Sequence, residues 1–280
     1  MPSFSFILTE RCDWNCPYCY FTGIEQKPPS LDVFKEHLPY IKKIIDKLGD
    51  LVVNIDIQGG EVGWIGSDIL RYFFKTIDRP IVVSTNGMFL DRGYHFDPEI
   101  EPYIKEIFLH LNMKNKKNYV GHNIKKGIVH DNMDEMIAFI RSNIEDIFDY
   151  VEFEFDINEP RKMDKSMYKK LYDAIQEIDN VSDYAKDIIR GRINERPDHR
   201  SNCRNFNHSI LIDLVNANIC LCQRQLDISI PLTEENLIYR LKTFPKDVFD
   251  KDHCDSCTRL YAGKYSGNVI ERAMLTRSRI

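Results

Sequence analysis

Three strand-like runs in this chain alternate polar and apolar residues from end to end. Val53, Ile55 and Ile57 alternate with Asn54, Asp56 and Gln58; Leu109 and Leu111 with His110 and Asn112; and Val151, Phe153 and Phe155 with Glu152, Glu154 and Asp156. Successive side chains on a strand point to opposite faces, so each run has one apolar face and one polar, largely acidic face. Parallel strands buried on both sides read instead as near-continuous apolar runs. A carboxylate buried without partners in a dry core is costly. Polar faces of this kind line a wet or ligand-filled lumen, or form the exposed face of a sheet. The first arrangement is an open or partial barrel with its site near the carboxyl ends of the strands.

The runs sit within an alternation of strands and helices. Phe4 to Leu8 reads as a strand. Leu31 to Leu48 reads as a helix, with Val33, Phe34, Leu38, Ile41, Ile44, Ile45 and Leu48 at helical spacing and Gly49 as its stop. Leu51 to Ile57 is a predicted strand, Asp68 to Ile77 a helix, and Ile81 to Ser84 a strand. Pro98 to Glu106 is a predicted short helix and Ile107 to Asn112 a strand. Asp134 to Phe148 and Met163 to Ile178 are predicted helices flanking a strand over Tyr150 to Asp156. Five strong strands are legible before residue 200, and no sixth. This order implies parallel strands with helices packed outside. The expected fold is α/β, a partial (β/α) TIM-like barrel over residues 1–200 with a small appendage over 201–280. Within the appendage, Ser209 to Val215 and Asn218 to Cys222 read as a hairpin turning at Asn216-Ala217. Thr233 is placed to cap a helix running through Leu241.

The stretch RCDWNCPYCYF, residues 11–21, spaces Cys12, Cys16 and Cys19 as C-x3-C-x2-C. The tail holds Cys203, Cys220, Cys222, Cys254 and Cys257. With 280 residues, 43% of them hydrophobic, the chain buries a core without covalent staples. No apolar run approaches the roughly 20 residues of a membrane helix. The start, Met1-Pro2-Ser3-Phe4, has neither a positive n-region nor a cleavage site, so a cytoplasmic location with reduced thiols is expected. Clustered thiols in that setting point to zinc, an iron–sulfur cluster or catalysis more than to disulfides. A net charge of −5 argues against nucleic-acid binding by the whole surface. No acid lies between Glu106 and Asp131, where Lys114, Lys116, Lys117, Lys125 and Lys126 cluster. That segment reads as a solvated loop or as a lid facing an anionic substrate.

The cysteine spacing, placed after a first strand and before a helix, resembles the signature of the radical S-adenosylmethionine superfamily. Tyr18 matches the aromatic often found before the third cysteine. Gln58-Gly59-Gly60-Glu61, ending the second strand, resembles the family's Gly-Gly-Glu, and Ser84-Thr85-Asn86-Gly87, ending the third, its T-N-G. The resemblance implies a [4Fe-4S] cluster on Cys12, Cys16 and Cys19, whose open iron chelates the amino and carboxylate groups of S-adenosyl-L-methionine. One electron passed to the sulfonium then releases methionine and a 5′-deoxyadenosyl radical, which abstracts hydrogen from substrate. It implies cofactor contacts from Gly59, Gly60 and Glu61, the glycines by close backbone approach and the carboxylate by pairing with an ammonium, and from Ser84 and Asn86. A glycine-rich adenine motif is not recognisable on the later strands. Asn112 and Glu154 are assigned as further cofactor contacts from their lumen-facing positions.

Cys203, Cys222 and Cys254-x2-Cys257 resemble the twitch form of the SPASM domain, which carries an auxiliary cluster in sulfatase-maturing enzymes and peptide maturases. That implies a second [4Fe-4S] cluster as redox partner; a four-cysteine zinc knuckle has similar spacing. In the twitch pattern a glycine precedes the hairpin cysteine by five residues. Counting back from Cys222 reaches Ala217, and from Cys220 reaches Val215. Cys222 is the assigned ligand, with Cys220, two residues away on the same strand, as its substitute. Asp56, His110, Glu152 and Asp156 are candidates to touch substrate, or members of a satisfied polar network. The expected substrate is a small molecule or a peptide; with eleven residues before Cys12 a fused leader-binding domain is not expected, which lowers the peptide reading without removing it. A nucleotide or nucleic-acid base is the alternative, met by the Lys-rich segment and by Arg190, Arg192, Arg196, Arg200 and Arg204. The non-enzymatic alternative is a zinc-binding scaffold. A flavodoxin or ferredoxin is the expected electron donor.

Overall fold

A computed structural model describes residues 2–14, 19, 21, 26–87, 96–111, 124–129, 151–154, 165–176, 186, 189–190, 193, 209–222 and 225–242. The chain divides into two compact units, one of Met1–Ile107, Arg204–Val248 and Gly267–Ile280, the other of Phe108–Cys203 and Phe249–Ser266.

In the first unit β1 (Ser3–Ile7) is flanked by parallel partners on both sides, with Phe4 beside Ile55 of β2 (Asn54–Gln58) and beside Ile210 of β7 (Ser209–Asp213). β3 (Ile81–Thr85) continues the parallel set next to β2, and β4 (Ile104–Leu111) enters the unit through residues 104–107. On the other side β7 turns antiparallel into β8 (Asn218–Cys222) and then β9 (Gln225–Pro231). The order among the described residues of this unit is β4-β3-β2-β1-β7-β8-β9, a mixed α/β sheet consistent with a partial TIM-like barrel. The predicted hairpin is therefore two strands of a three-stranded meander. The signal for β9 was in the sequence, since Leu226, Ile228 and Ile230 alternate with polar residues at period 2.

Helices α1 (Leu31–Leu48) and α2 (Ser67–Ile77) cover one face. α1 follows the predicted range and ends where the Gly49 N–H donates to the Ile45 carbonyl. Phe4, Phe6 and Leu8 of the β1 segment join Ile55, Ile57, Ile81, Val83, Ile210 and Ile212 beneath Phe34, Leu38, Ile41, Ile45, Phe73, Phe74 and Ile77. Phe73 lies at the centre, with ring centroids 5.1 Å from Phe6 and 5.7 Å from Phe74, both edge-on. The opposite face of β2 carries half-buried Asn54, Asp56 and Gln58, as the alternation requires.

Three expectations change. Leu51 does not begin β2; Gly49–Leu51 continue α1 as a 3-10 turn, and Val53 is 54% exposed beside the strand start. Pro98 to Glu106 is a turn followed by a 3-10 turn at Glu101–Tyr103, and then β4. A helix over these nine residues would lose at Pro102 one of its few backbone bonds, a loss that the 18-residue α1 carries at Pro39. Finally, Lys125 and Lys126 do not lie in a loop. They belong to β5 (Ile124–Val129), a strand beyond the five read from the sequence before residue 200.

In the second unit β5 runs parallel to β6 (Val151–Glu154), pairing Gly127 with Glu152 and Val129 with Glu154. IKKGIV has no clean alternation and an internal glycine, so pairing with neighbouring strands, β6 among them, marks it as a strand. Helix α3 (Lys165–Gln176) buries Tyr168, Leu171, Ala174 and Ile175. The predicted helix over Asp134 to Phe148 lies outside the described residues. In the first unit, α4 (Glu234–Lys242) starts as predicted at Thr233, whose Oγ1 accepts the Asn236 N–H at 3.1 Å.

Candidate active site

The carboxyl ends of β1, β2 and β3 bring the three sequence motifs together. Beyond β1 the chain runs through Thr9, Glu10 and Arg11 to Cys12, and the turn after β2 packs against this stem. The Gly60 N–H donates to the Thr9 carbonyl at 2.8 Å, and the Glu61 N–H to the Arg11 carbonyl at 2.7 Å. A Cβ on Gly60 would stand 2.4 Å from the Arg11 carbonyl oxygen and 2.8 Å from that of Thr9. Glycine is needed here so that two backbones can touch, a different close approach from the one to a ligand expected from the motif. Gly59, at φ +117°, takes a conformation that side-chain-bearing residues rarely adopt.

Glu61 is 3% exposed and joins the second motif to the third. Its Oε1 accepts the Thr85 hydroxyl at 2.7 Å and the Gly63 N–H at 3.1 Å, and its Oε2 accepts the Asn86 N–H at 2.7 Å. Thr85 occupies the apolar-face register of β3, after Ile81 and Val83. A hydroxyl buried on that face needs a partner, so the strand alternation itself carries a signal for Thr85. The Asn86 side chain then reaches the first motif, its Nδ2 donating to Asp13 Oδ1 at 3.0 Å and to Cys12 Sγ at 3.6 Å.

Burial raises the Glu61 carboxyl above the ordinary range, against the pull of the Thr85, Asn86 and Gly63 donors. The folded chain therefore holds a proton that the unfolded chain has already released. In the metal-free chain, stability contributed by this group falls as pH rises from the ordinary carboxylate range through the raised value. Glu61→Gln should remove that slope. It should also cost about 1–3 kcal/mol on the acid side, because an amide N–H replaces the oxygen that accepts the Asn86 N–H. Urea midpoints of both proteins across that range check this; parallel curves would count against it.

Two of the three clustered cysteines are described. Cys12 and Cys19 are half-buried, and each Sγ accepts the backbone N–H two residues on, from Trp14 and Phe21, at 3.4 Å. Burial pushes the Cys12 thiol up to about 11, opposed by the Trp14 N–H and reinforced by the Glu61 and Asp13 carboxylates. A thiolate in that setting needs a nearby cation, and N–H donors aimed at both sulfurs suit a cluster or a metal ion. These residues fit the group that their spacing implies. Cys16 and Tyr18 lie outside the described residues.

Ser84 is half-buried in β3. Asp56 accepts the Ser5 hydroxyl at 2.9 Å and the Asn54 amide at 3.3 Å, so it belongs to a hydrogen-bonded polar group on the face away from the helices. His110 lies in β4, Glu152 and Glu154 lie two apart in β6, and Cys222 ends β8, but their side chains fall outside the described ones. Asn112, Asp156, Cys203, Cys254 and Cys257 also lie outside the described residues. Cys220 is 2% exposed among Ile7, Phe21 and Leu211, with Cys19 packed against the same cluster. A bulge lies between Cys220 and Cys222, where the register to β9 shifts.

No protein-family model and no curated protein matches the sequence. Solved structures do match its fold. Streptococcus suis SuiB bound to S-adenosylmethionine aligns over 82% of this chain at 14% identity with a TM-score of 0.54; the chain spans 63% of that SuiB chain. SuiB bound to the precursor peptide SuiA aligns over 94% of this chain and 66% of that one, at 15% identity and a TM-score of 0.53. The anSMEcpe structure with bound AdoMet aligns over 94% of this chain and 88% of that one, at 11% identity and a TM-score of 0.56. The chain thus has the fold of these structures, two of which hold S-adenosylmethionine and one a precursor peptide.

Proposed function

We propose that the protein is a radical S-adenosylmethionine enzyme, of oxidoreductase or isomerase type, acting on a peptide or small-molecule substrate. In this reading Cys12, Cys16 and Cys19 hold a [4Fe-4S] cluster, which when bound supplies the electron that cleaves S-adenosyl-L-methionine to the 5′-deoxyadenosyl radical. Gly59, Gly60, Glu61, Ser84 and Asn86, with Tyr18, Asn112 and Glu154, form the cofactor side of the site. The observation that carries the reading is Asn86. It ties Cys12 and Asp13 to Glu61 at the carboxyl ends of three parallel strands. Asn86 orients the cysteine loop's stem, while Glu61 holds Thr85 and Asn86 in place. Asp56, His110, Glu152 and Asp156 are the proposed substrate contacts.

Cys203, Cys222, Cys254 and Cys257 hold an auxiliary [4Fe-4S] cluster that takes up an electron during turnover, so that 1–200 and 201–280 divide the chain by metal chemistry. Two observations favour Cys222 over Cys220. Cys220 is enclosed by apolar side chains. Ala217, five residues before Cys222, has φ +52°. The position that carries glycine in the twitch pattern thus has a backbone that favours glycine. Ala217→Gly should stabilise the protein by about 0.5–1 kcal/mol, read from the denaturant midpoint; a destabilised variant would count against it.

The likeness to SuiB bound to its precursor peptide favours a peptide as substrate. A flavodoxin or ferredoxin would supply electrons, and the cytoplasm is the proposed location. Among the described residues no helix is long and apolar enough to cross a membrane. The test is anaerobic reconstitution with iron and sulfide counted per chain, followed by a dithionite-driven assay for 5′-deoxyadenosine. About eight irons per chain with 5′-deoxyadenosine formed supports the reading, two four-iron clusters being the expectation. Zinc without iron or sulfide would favour the scaffold alternative, and salt-dependent oligonucleotide binding would favour a nucleic-acid base as substrate.

A further inference from the structure

We infer that Asn216, in the turn between β7 and β8, is a positioning residue that holds the two ends of the cysteine loop together. Its consequence for a cluster rests on the function proposed above.

The cysteine segment begins at Glu10, beyond the end of β1, and ends at Lys27, ahead of α1. The Lys27 N–H donates to Glu10 Oε2 at 3.0 Å, and the Cys12 N–H to Gln26 Oε1 at 3.3 Å, so the two ends are pinned side by side. Asn216 closes this stem from a distant part of the chain. Its Nδ2 donates to Glu10 Oε1 at 2.7 Å and to Asp213 Oδ2 at 2.8 Å, and its Oδ1 accepts the Lys27 ammonium at 2.9 Å. Glu10 and Asp213 are each 4% exposed. Asp213 Oδ1 in turn accepts the N–H groups of Val215 and Asn216, which sets the turn.

Only a short primary amide meets these demands. It has two N–H groups for two buried carboxylates and an oxygen for an ammonium. Aspartate there would bring a third carboxylate beside Glu10 and Asp213. Alanine would leave both carboxylates short of a donor and Lys27 short of an acceptor. The contacts span 206 and 189 residues, so the turn that leads into the Cys222 strand is bonded to both ends of the loop bearing Cys12, Cys16 and Cys19. A strand-turn that closes a loop's stem lowers the number of conformations the loop samples before it binds anything, which is preorganisation.

The experiment compares wild type, Asn216→Ala and Lys27→Gln by amide hydrogen exchange on the metal-free chain. The glutamine variant keeps the Lys27 backbone bond to Glu10 and removes only the ammonium, so it serves if the alanine variant does not fold. Exchange over residues 10–27 should rise about tenfold in Asn216→Ala and about threefold in Lys27→Gln, with α1 unchanged. A rise spread evenly over α1 and the loop, or no rise at the loop, would overturn the inference. Iron release to a chelator from the reconstituted protein should accelerate about tenfold in Asn216→Ala. Unchanged release alongside faster loop exchange would also overturn the positioning role. If wild type binds no iron, the proposed function fails, while the exchange data still decide whether Asn216 closes the loop.

Discussion

Gly60→Ala is expected to lose both stability and cluster uptake. The added Cβ would lie 2.4 Å from the Arg11 carbonyl oxygen, 2.7 Å from the Glu10 carbonyl carbon and 2.8 Å from the Thr9 carbonyl oxygen. All are backbone atoms, so no side chain can swing away to make room. The end of β2 and the stem after β1 must move apart. That breaks the bonds from the Gly60 N–H to Thr9 and from the Glu61 N–H to Arg11. Overpacking and two lost hydrogen bonds together cost roughly 3–5 kcal/mol. Gly66→Ala is the control, because a Cβ there meets nothing within 4 Å. It should cost less than about 1 kcal/mol. Urea midpoints and iron content of both variants, set against wild type, make the measurement. If the two variants unfold together, close backbone approach is not what requires glycine at residue 60.

Cys16→Ala should abolish 5′-deoxyadenosine formation and lower reconstituted iron by about half, since a four-iron cluster loses one of its three protein ligands. The metal-free chain should unfold at nearly the wild-type midpoint, because Cys12 and Cys19 keep their N–H···S contacts with Trp14 and Phe21. Cys254→Ala should behave differently, retaining some S-adenosylmethionine cleavage while forming no product. Full activity in the Cys16 variant would refute the assignment of the N-terminal cysteines. Equal loss of cleavage in both variants would instead merge the two cluster sites into one function.

Much of the architecture was open to inspection because its signals are local. The helical spacing of Phe34, Leu38, Ile41, Ile45 and Leu48 marks α1 over its whole length, and Gly49 marks its end. The period-2 pattern from Val53 to Gln58 separates the face toward the helices from the face carrying Asp56, and the burial of Ile55 and Ile57 follows that pattern. β5 went unread for the opposite reason. IKKGIV carries no period and an internal glycine, and its strand form depends on the strands beside it. Pro98 to Glu106 is not a helix: so short a helix would lose one of its few backbone bonds at Pro102, whereas the 18-residue α1 runs through Pro39.

The candidate site divides in the same way. Cys12, Gly60, Glu61 and Asn86 were named through a family resemblance, carried by short motifs that follow the ends of predicted strands. Sequence could not say that Asn86 meets Cys12 across 74 residues, or that Glu61 accepts the Asn86 N–H across 25. Those contacts depend on the register of β1, β2 and β3, a property of strands side by side rather than of any one of them. Nor could it give Gly60 its actual neighbour, the stem from Thr9 to Arg11, or bring Asn216 to Glu10 and Lys27. Periodicity and chain-local chemistry determined which elements form and which residues carry reactive groups. The pairing of β1 with β2 on one side and β7 on the other decided which of those groups touch, because a hydrogen bond requires about 3 Å of proximity that only packed, registered strands supply.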